Sequence, residues 1–359
     1  MRDLALLPKA HLHLHFTGSL RIPTLEELAA ARRVRLPESL TDSEALRVPA
    51  GQRGWFRFQR QYDAARAVVR GEDALRRVVR EAAEDDAAEG SRRLEIQVEP
   101  SSYAPDVGGI TPALEIILDE AAAASRDTGV EVGVIVAASR IRHPMDARTL
   151  ARLAARHAGQ GAGQVVGFGL SNDERRGNTA DYTGAFAIAE RAGLPAVPHG
   201  GELLGPDHVR DVVAHLKPTR LGHGVRAEED PDLLARLVDD GIAFEVCPIS
   251  NLSLGVYEEP EEVPLRRLVD AGARVALGAD DPLLFHARLV DQYEFARELG
   301  MDDAELAGLA RDSIGVSFAP QSSKRKWLAE VDAWLATPPD IRPAQRSLTR
   351  RRGTTPQAQ

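Results

Sequence analysis

The strongest constraint on the fold of this chain is the alternation of short β-rich runs with longer stretches rich in Ala, Leu and Arg. Eight runs are predicted as strands, at residues 10–16, 93–98, 130–139, 165–170, 195–200, 220–225, 243–249 and 274–279. The predicted helices between them include residues 24–33, 113–124, 146–157 and 231–239, the first with capping-box spacing at Thr24 and Glu27. This alternation builds a parallel sheet. We therefore predict an α/β fold, a (β/α)8 TIM barrel, with an open doubly wound sheet as the alternative.

The first gap is much longer than the others. About 75 residues separate the first two predicted strands, and an insertion of that size after a barrel strand usually covers the mouth of an active site. We expect the barrel at residues 1–336, with a helical lid insertion at about residues 20–90. Residues 337–359 are basic, Pro-rich and without apolar periodicity, which predicts a disordered basic tail.

The charge balance and the apolar pattern exclude several classes of protein. With 45 Lys and Arg against 54 Asp and Glu, the net charge of −9 argues against a nucleic-acid binder with a broad basic face. No apolar run approaches the roughly 20 residues that span a bilayer, and the N-terminal apolar stretch is too short for a signal peptide. The single cysteine, Cys247, cannot form an internal disulfide. We expect a cytoplasmic protein that binds a small molecule, neither nucleic acid nor membrane; no feature of the sequence indicates its oligomeric state.

Histidines and aspartates occur where several predicted strands end. The run His11-Leu12-His13-Leu14-His15 alternates along the first strand, so its three imidazoles share one face. Such a face is either a plain polar strand face or a set of metal ligands. His199, His223 and the pair Asp280-Asp281 close the fifth, sixth and eighth predicted strands. Because these ends share one face of a barrel, the groups can meet around one ion, and a mixed nitrogen and oxygen set suits Zn²⁺.

Five motifs in order give a resemblance to a known family. They are Lys9-Ala10-His11-Leu12-His13-Leu14-His15-Phe16-Thr17-Gly18, His199-Gly200-Gly201-Glu202, Gly222-His223-Gly224, Glu245-Val246-Cys247-Pro248-Ile249-Ser250-Asn251 and Asp280-Asp281-Pro282. Over roughly residues 7–330 the chain resembles the adenosine deaminase-like branch of the amidohydrolase superfamily, whose members are metal-dependent (β/α)8 barrels. The resemblance implies that residues 1–336 form a metal-dependent hydrolase barrel and that the protein is a hydrolytic deaminase of 6-aminopurines.

The resemblance also implies roles for single residues. By motif position, one zinc ion per chain is bound by His13, His15, His199 and Asp280. His11 stands where the family usually has an acidic residue, and we expect it to lie behind the ligands.

Three further residues match the family's catalytic set. Zinc lowers the pKa of its bound water toward about 7 and so supplies a nucleophile. Glu202 is expected to give a proton to the purine ring, because a buried Glu with a raised pKa can hold one. His223 is expected to orient and deprotonate the water, and Asp281 to accept a hydrogen bond from the purine. The loop at 171–174, with Asn172, matches the stretch that contacts the purine in relatives, and its side chains are either purine contacts or turn-formers.

One departure concerns the substrate. Thr17 stands where adenosine enzymes have an Asp that grips the 5′ hydroxyl of the sugar, which removes a charge-assisted hydrogen bond of roughly 1.5–3 kcal/mol. In its first motif and in Gly54-Trp55-Phe56-Arg57-Phe58-Gln59 the chain is similar to deaminases of 6-aminodeoxyfutalosine, in the futalosine route to menaquinone. This implies that Phe56 encloses the aromatic acid of that substrate, and that an Arg from Arg53, Arg57 or Arg60 pairs with its carboxylate. Adenosine or adenine is the alternative substrate, and a nucleoside-binding barrel without catalysis is a third possibility.

Overall fold

The computed structural model describes residues 1–42 and 44–338. It contains eight strands, β1 (Lys9–His15), β2 (Ser91–Val98), β3 (Glu131–Ser139), β4 (Val165–Ser171), β5 (Ala196–Gly200), β6 (Arg220–His223), β7 (Ala243–Val246) and β8 (Val275–Leu277). The α-helices of the described residues are α1 (Ile22–Arg32), α2 (Gln52–Val68), α3 (Glu72–Ala88), α4 (Ile110–Thr128), α5 (Pro144–Arg156), α6 (Thr183–Arg191), α7 (Pro206–Leu216), α8 (Pro231–Asp239), α9 (Pro248–Ser253), α10 (Leu265–Asp270), α11 (Pro282–Phe285), α12 (Leu289–Glu298), α13 (Asp303–Val316) and α14 (Gln321–Ala336). Of the tail predicted at 337–359, only residues 337 and 338 lie within the described part.

The strands form one parallel sheet in the order β1 to β8. The two edges of the sheet are also joined by hydrogen bonds. The His15 backbone N–H donates to the Asp280 carbonyl at 2.9 Å, and the Asp280 N–H donates to the His13 carbonyl at 3.0 Å. These two bonds join β1 to the segment after β8. The predicted (β/α)8 TIM barrel is confirmed, and the open sheet is wrong.

The interior of the barrel holds charged side chains as well as apolar ones. Arg220 on β6 donates to Glu95 on β2 at 2.7 Å and to Glu245 on β7 at 2.6 Å. Since β2 and β6 are not neighbours in the sheet, the first contact crosses the barrel. All three side chains are fully buried, so each charge depends on its partners for stability.

The eight strands lie on the eight predicted runs, with ends shifted by up to three residues. The largest shift is in β7, which ends at Val246 because Pro248 begins α9. The predicted capping box at Thr24 and Glu27 was wrong. Arg21 is the N-cap of α1, and the Thr24 hydroxyl donates to Glu81 instead.

The long gap between β1 and β2 holds helices α1, α2 and α3. Helix α2 carries the aromatic and Arg-rich stretch, and its side chains reach the cavity described below. Across residues 1–42 and 44–338, no helix is both long enough and apolar enough to cross a bilayer.

Candidate active site

The four predicted metal ligands come together at the carboxyl ends of the strands. Nε2 of His15 lies 3.1 Å from Oδ1 of Asp280, and Nε2 of His13 lies 3.5 Å from the same oxygen. The ring centre of His199, from β5, is 4.8 Å from that of His13 and 5.2 Å from that of His15. Side chains from β1, β5 and the end of β8 therefore converge, as the strand-end argument predicts.

The unpaired atoms of this cluster fit a metal ion. Nε2 of His13 and Nε2 of His199 are buried and have no hydrogen-bond partner. This is unusual, because nearly all buried polar atoms in proteins have a partner. Ligand atoms of His13, His15 and Asp280 lie within 4.8 Å of one another, and so do those of His13, His199 and His223. Imidazole nitrogens with one carboxylate suit zinc, which would satisfy the unpaired nitrogens.

Two residues behind the cluster hold the ligands in place. Oε2 of Glu245 lies 2.8 Å from Nδ1 of His13, so Nδ1 carries the proton and the Nε2 lone pair is left for a metal. The Ser250 hydroxyl donates to Oδ2 of Asp280 at 2.5 Å, which leaves Oδ1 for the ion. Sequence reasoning assigned no role to either residue, although both belong to the Glu245–Asn251 motif.

His11 lies beside the cluster and is tied to other groups. Its Nε2 accepts a hydrogen bond from the backbone N–H of Ala279 at 3.1 Å. Nδ1 must therefore carry the proton, and it faces Oδ1 of Asp86 on α3 at 2.9 Å. His11 thus connects α3 to the residue that precedes Asp280.

Three more buried groups lie next to the ligands and are suited to proton transfer. Oε2 of Glu202 is 3.7 Å from Nε2 of His223. Burial, and then the charge of Glu174, raises the pKa of the Glu202 carboxyl well above its usual range. Burial lowers the pKa of His223 to about 3. Burial and the neighbouring Asp280 raise the pKa of Asp281, whose Oδ1 has no partner. A carboxyl that holds a proton therefore faces a neutral imidazole.

The backbone at this end of the barrel is strained. His223, Asp280 and Asn172 have φ angles of 63°, 61° and 80°, in a left-handed region that costs most side chains about 1–3 kcal/mol. The glycine of the first motif is also forced by geometry, since a Cβ at Gly18 would lie 1.9 Å from Oδ1 of Asp281. Such strain is typical of functional sites.

A cavity opens above these groups. It encloses about 690 Å³ of space free of atoms, its open mouth included. His15, His199, Glu202, His223, Asp280 and Asp281 line its floor. Its walls include Trp55, Phe58 and Tyr62 of α2 together with Tyr103. Asn172 is also in the lining.

The structure corrects the substrate residues predicted on α2. Phe56 is 63% exposed, and Arg53, Arg57 and Arg60 are exposed as well; none of the four is in the cavity lining. A helix turns once every 3.6 residues, and the turn of α2 brings another set of side chains to the cavity, namely Trp55, Phe58, Gln59, Tyr62 and Arg66. Arg66 is the only Lys or Arg in the lining formed by the described residues, and it was missed although it lies one turn beyond Tyr62.

Thr17 lies just behind the cavity wall. It is fully buried, and its Oγ1 is 2.6 Å from the hydroxyl oxygen of Tyr103, which is in the lining. Thr17 therefore does not line the cavity itself but is hydrogen-bonded to a residue that does.

Residues 8–334 match the family described as adenosine deaminase. The chain belongs to that family. A protein of Streptomyces virginiae, provisionally named an adenosine/adenine deaminase, is 60% identical over 93% of this chain and 98% of its own length. The crystal structure of adenine deaminase from Arthrobacter aurescens is 28% identical, covers 92% of this chain and 100% of its own, and gives a TM-score of 0.83. A zinc-bound amidohydrolase of Burkholderia ambifaria, at 24% identity, covers 92% of each chain with a TM-score of 0.81 and shows a likeness of fold.

Family membership confirms the resemblance drawn from the five motifs and the expectation of an enzyme, a hydrolytic purine deaminase. The narrower resemblance, to aminodeoxyfutalosine deaminases, stays a proposal.

Proposed function

We propose that this chain removes ammonia hydrolytically from carbon 6 of a 6-aminopurine nucleoside, with one zinc ion held by His13, His15, His199 and Asp280. The observation that carries the proposal is the pairing of Glu202 with His223 at 3.7 Å, beside those four residues and on the floor of the cavity. A site that only binds a nucleoside has no need of a buried acid and a buried base side by side.

The bound ion would lower the pKa of a water and thereby supply a nucleophile at neutral pH. Glu202 holds a proton at the pH where the enzyme works and delivers it to the ring nitrogen next to carbon 6. This delivery removes the negative charge that would otherwise build up on the ring during attack. His223 is neutral and accepts a proton from the attacking water. The carbon–nitrogen bond then breaks: protonated His223 returns its proton to the amino group, which leaves as ammonia. The hydroxyl proton passes to the Glu202 carboxylate, so a carbonyl remains on the ring and both side chains regain their starting protonation states.

The partner of the purine at the other side of its ring is Asp281. Its Oδ1 is buried, has no partner and lines the cavity floor. A buried polar atom without a partner costs about 1–3 kcal/mol. The free ring nitrogens of a purine nucleoside accept hydrogen bonds, so Asp281 would donate as a protonated carboxyl, which its raised pKa favours. This bond would recover that cost and align the ring with Glu202.

For the substrate we propose 6-aminodeoxyfutalosine, a purine nucleoside that carries a carboxyphenyl ketone, and with it a role in the futalosine route to menaquinone. Three aromatic side chains of α2 and Tyr103 surround the space beyond the catalytic floor. Arg66 supplies the cation for the carboxylate, in place of Arg53, Arg57 or Arg60.

Adenine or adenosine is the second candidate, and the names of the relatives favour it. The Streptomyces virginiae relative has adenosine/adenine deaminase as its provisional name, and the Arthrobacter aurescens enzyme is an adenine deaminase. Neither a free base nor plain adenosine would use Arg66 as an anion partner.

Ammonia release from adenine, adenosine and 6-aminodeoxyfutalosine at equal concentration tests both the proposed deaminase activity and the proposed substrate. We expect the aminodeoxyfutalosine reaction to have the highest kcat/KM. Turnover of adenosine at about 10⁵ M⁻¹s⁻¹ or more, with none of 6-aminodeoxyfutalosine, would overturn the substrate. Release from none of the three by zinc-loaded enzyme would overturn the deaminase itself.

A further inference from the structure

The backbone that carries Glu202 is held by one buried carboxylate from another loop. Glu174, which follows β4, accepts hydrogen bonds from three successive backbone N–H groups. Its oxygens lie 3.1 and 3.2 Å from the nitrogen of Glu202, 2.8 Å from that of Leu203 and 2.9 Å from that of Leu204. Three amides that face one carboxylate leave the start of this loop little freedom to rotate.

The same loop is held from its other side by Arg226, which follows β6. The Arg226 guanidinium donates to the carbonyl of Leu203 at 2.7 Å, and its backbone N–H donates to the carbonyl of Gly201 at 2.9 Å. The loop is therefore fixed between the ends of β4 and β6. Gly201 has a φ of 79°, so the chain turns sharply just before Glu202 and cannot follow β5 further.

Among the described residues, Glu174 forms no ion pair with a Lys or Arg; its one recorded ion-pair contact is with His208 on α7, whose Nδ1 is 3.7 Å away. Burial lowers the pKa of His208, which favours its neutral form. The guanidinium of the buried Arg140 donates instead to Thr179 at 3.1 Å and to the His199 carbonyl at 2.9 Å. The bonds of the Glu174 carboxylate are thus made to the loop of Glu202.

We propose that Glu174 is the positioning residue for the proton donor, fixing the backbone of Glu202 so that its carboxyl faces His223 and the purine ring. Glu174 does not line the cavity and so acts through Glu202. This inference rests on the proposed function, since it takes Glu202 as the donor. A displacement of about 1 Å at a reacting group can cost about 100-fold in rate.

The first test removes the acceptor. Glu174→Ala is expected to lower kcat about 100-fold while KM changes less than about threefold, because the residue touches the donor's backbone and not the substrate. Zinc content, measured by atomic absorption, should stay at the wild-type value. Glu174→Gln keeps one acceptor oxygen and is expected to lose about tenfold, so it gives a usable variant even where the Ala protein folds poorly. Glu190→Gln, at an exposed position on α6, is the matched control.

The decisive test is a double-mutant cycle with Glu202→Gln. If Glu174 acts through Glu202, adding Glu174→Gln to Glu202→Gln should cause less than about a twofold further loss of kcat. A further tenfold loss would mean that Glu174 supports the fold or another group, and the inference would be overturned. An undiminished rate in Glu202→Gln alone would instead overturn the proton-donor role in the proposed function. The two failures are therefore distinguishable.

Discussion

Nδ1 of His13 lies 2.8 Å from Oε2 of Glu245, although the two residues are 232 positions apart in the chain. Both are fully buried, and the bond fixes which ring nitrogen of His13 faces the proposed metal site. Glu245 is in turn bonded to Arg220, and Arg220 to Glu95 across the barrel. The geometry of a ligand on β1 thus depends on charges that lie on β7, β6 and β2.

Glu245→Gln is expected to weaken zinc binding. The amide is neutral, so it no longer favours the ring orientation and basicity that suit His13 as a ligand, and loss of such an outer partner typically costs about 10–100-fold in metal affinity. Competition with a chelator of known affinity measures the change. Glu298→Gln, exposed on α12, is the control. An unchanged zinc affinity would show that Glu245 has no part in holding His13.

Arg220→Met is expected to lower the free energy of unfolding by about 3–5 kcal/mol. The variant leaves the carboxylates of Glu95 and Glu245 buried without their shared partner, and an uncompensated buried charge is costly. Equilibrium urea unfolding with a fluorescence readout gives the value. Arg325→Met, at an exposed position on α14, should change it by less than about 0.5 kcal/mol. A change of that small size at Arg220 as well would contradict the ionic network.

Glu202→Gln should keep zinc and lose turnover. The amide has nearly the same shape but holds no transferable proton, and a general acid contributes about 10²–10⁴-fold. The rate of ammonia release and the zinc content per chain are measured on the same sample. A zinc-replete variant with a wild-type rate would remove Glu202 from the mechanism.

The pH profile of kcat/KM should fall on the alkaline side. Glu202 acts while protonated, and because burial raises its pKa, the active form persists through neutral pH and is lost as the pH rises through that raised value. His223 acts while neutral, and with a pKa lowered to about 3 it stays neutral throughout the weakly acidic range. His223 therefore imposes no acid limb above about pH 4. The residual activity of Glu202→Gln should lack the alkaline limb, and a limb that survives unchanged belongs to another group.

Arg66→Gln is expected to raise KM for 6-aminodeoxyfutalosine about tenfold and to leave kcat/KM for adenine nearly unchanged. A charge-assisted hydrogen bond is worth about 1.5–3 kcal/mol, and the low end applies because the Arg66 side chain is 26% exposed and already pairs with Asp63. Arg57→Gln, on the exposed side of the same helix, is the matched control. Equal effects on both substrates would mean that Arg66 does not recognise the carboxylate.

The sequence by itself determined the barrel fold and the types of residue that lie at the carboxyl ends of its strands. Strand and helix periods are local, so β1 to β8 could be located from the alternation of side chains. The histidines and acids at the strand ends followed from the same logic, because parallel strands bring all their carboxyl ends to one face. That logic placed the first-strand histidines with His199, His223, Asp280 and Asp281, and the resemblance to the adenosine deaminase-like family selected His13, His15, His199 and Asp280 as the ligands.

Only the tertiary structure decided which side of α2 faces the cavity and which groups support the catalytic ones. A helix with Arg at 53, 57, 60 and 66 offers several cations, and packing against the barrel brings only Arg66 to the cavity. The bonds from Glu245 to His13 and from Glu174 to the loop of Glu202 join residues that share no local pattern. Such contacts depend on how the barrel closes, and closure is a property of all eight strands together.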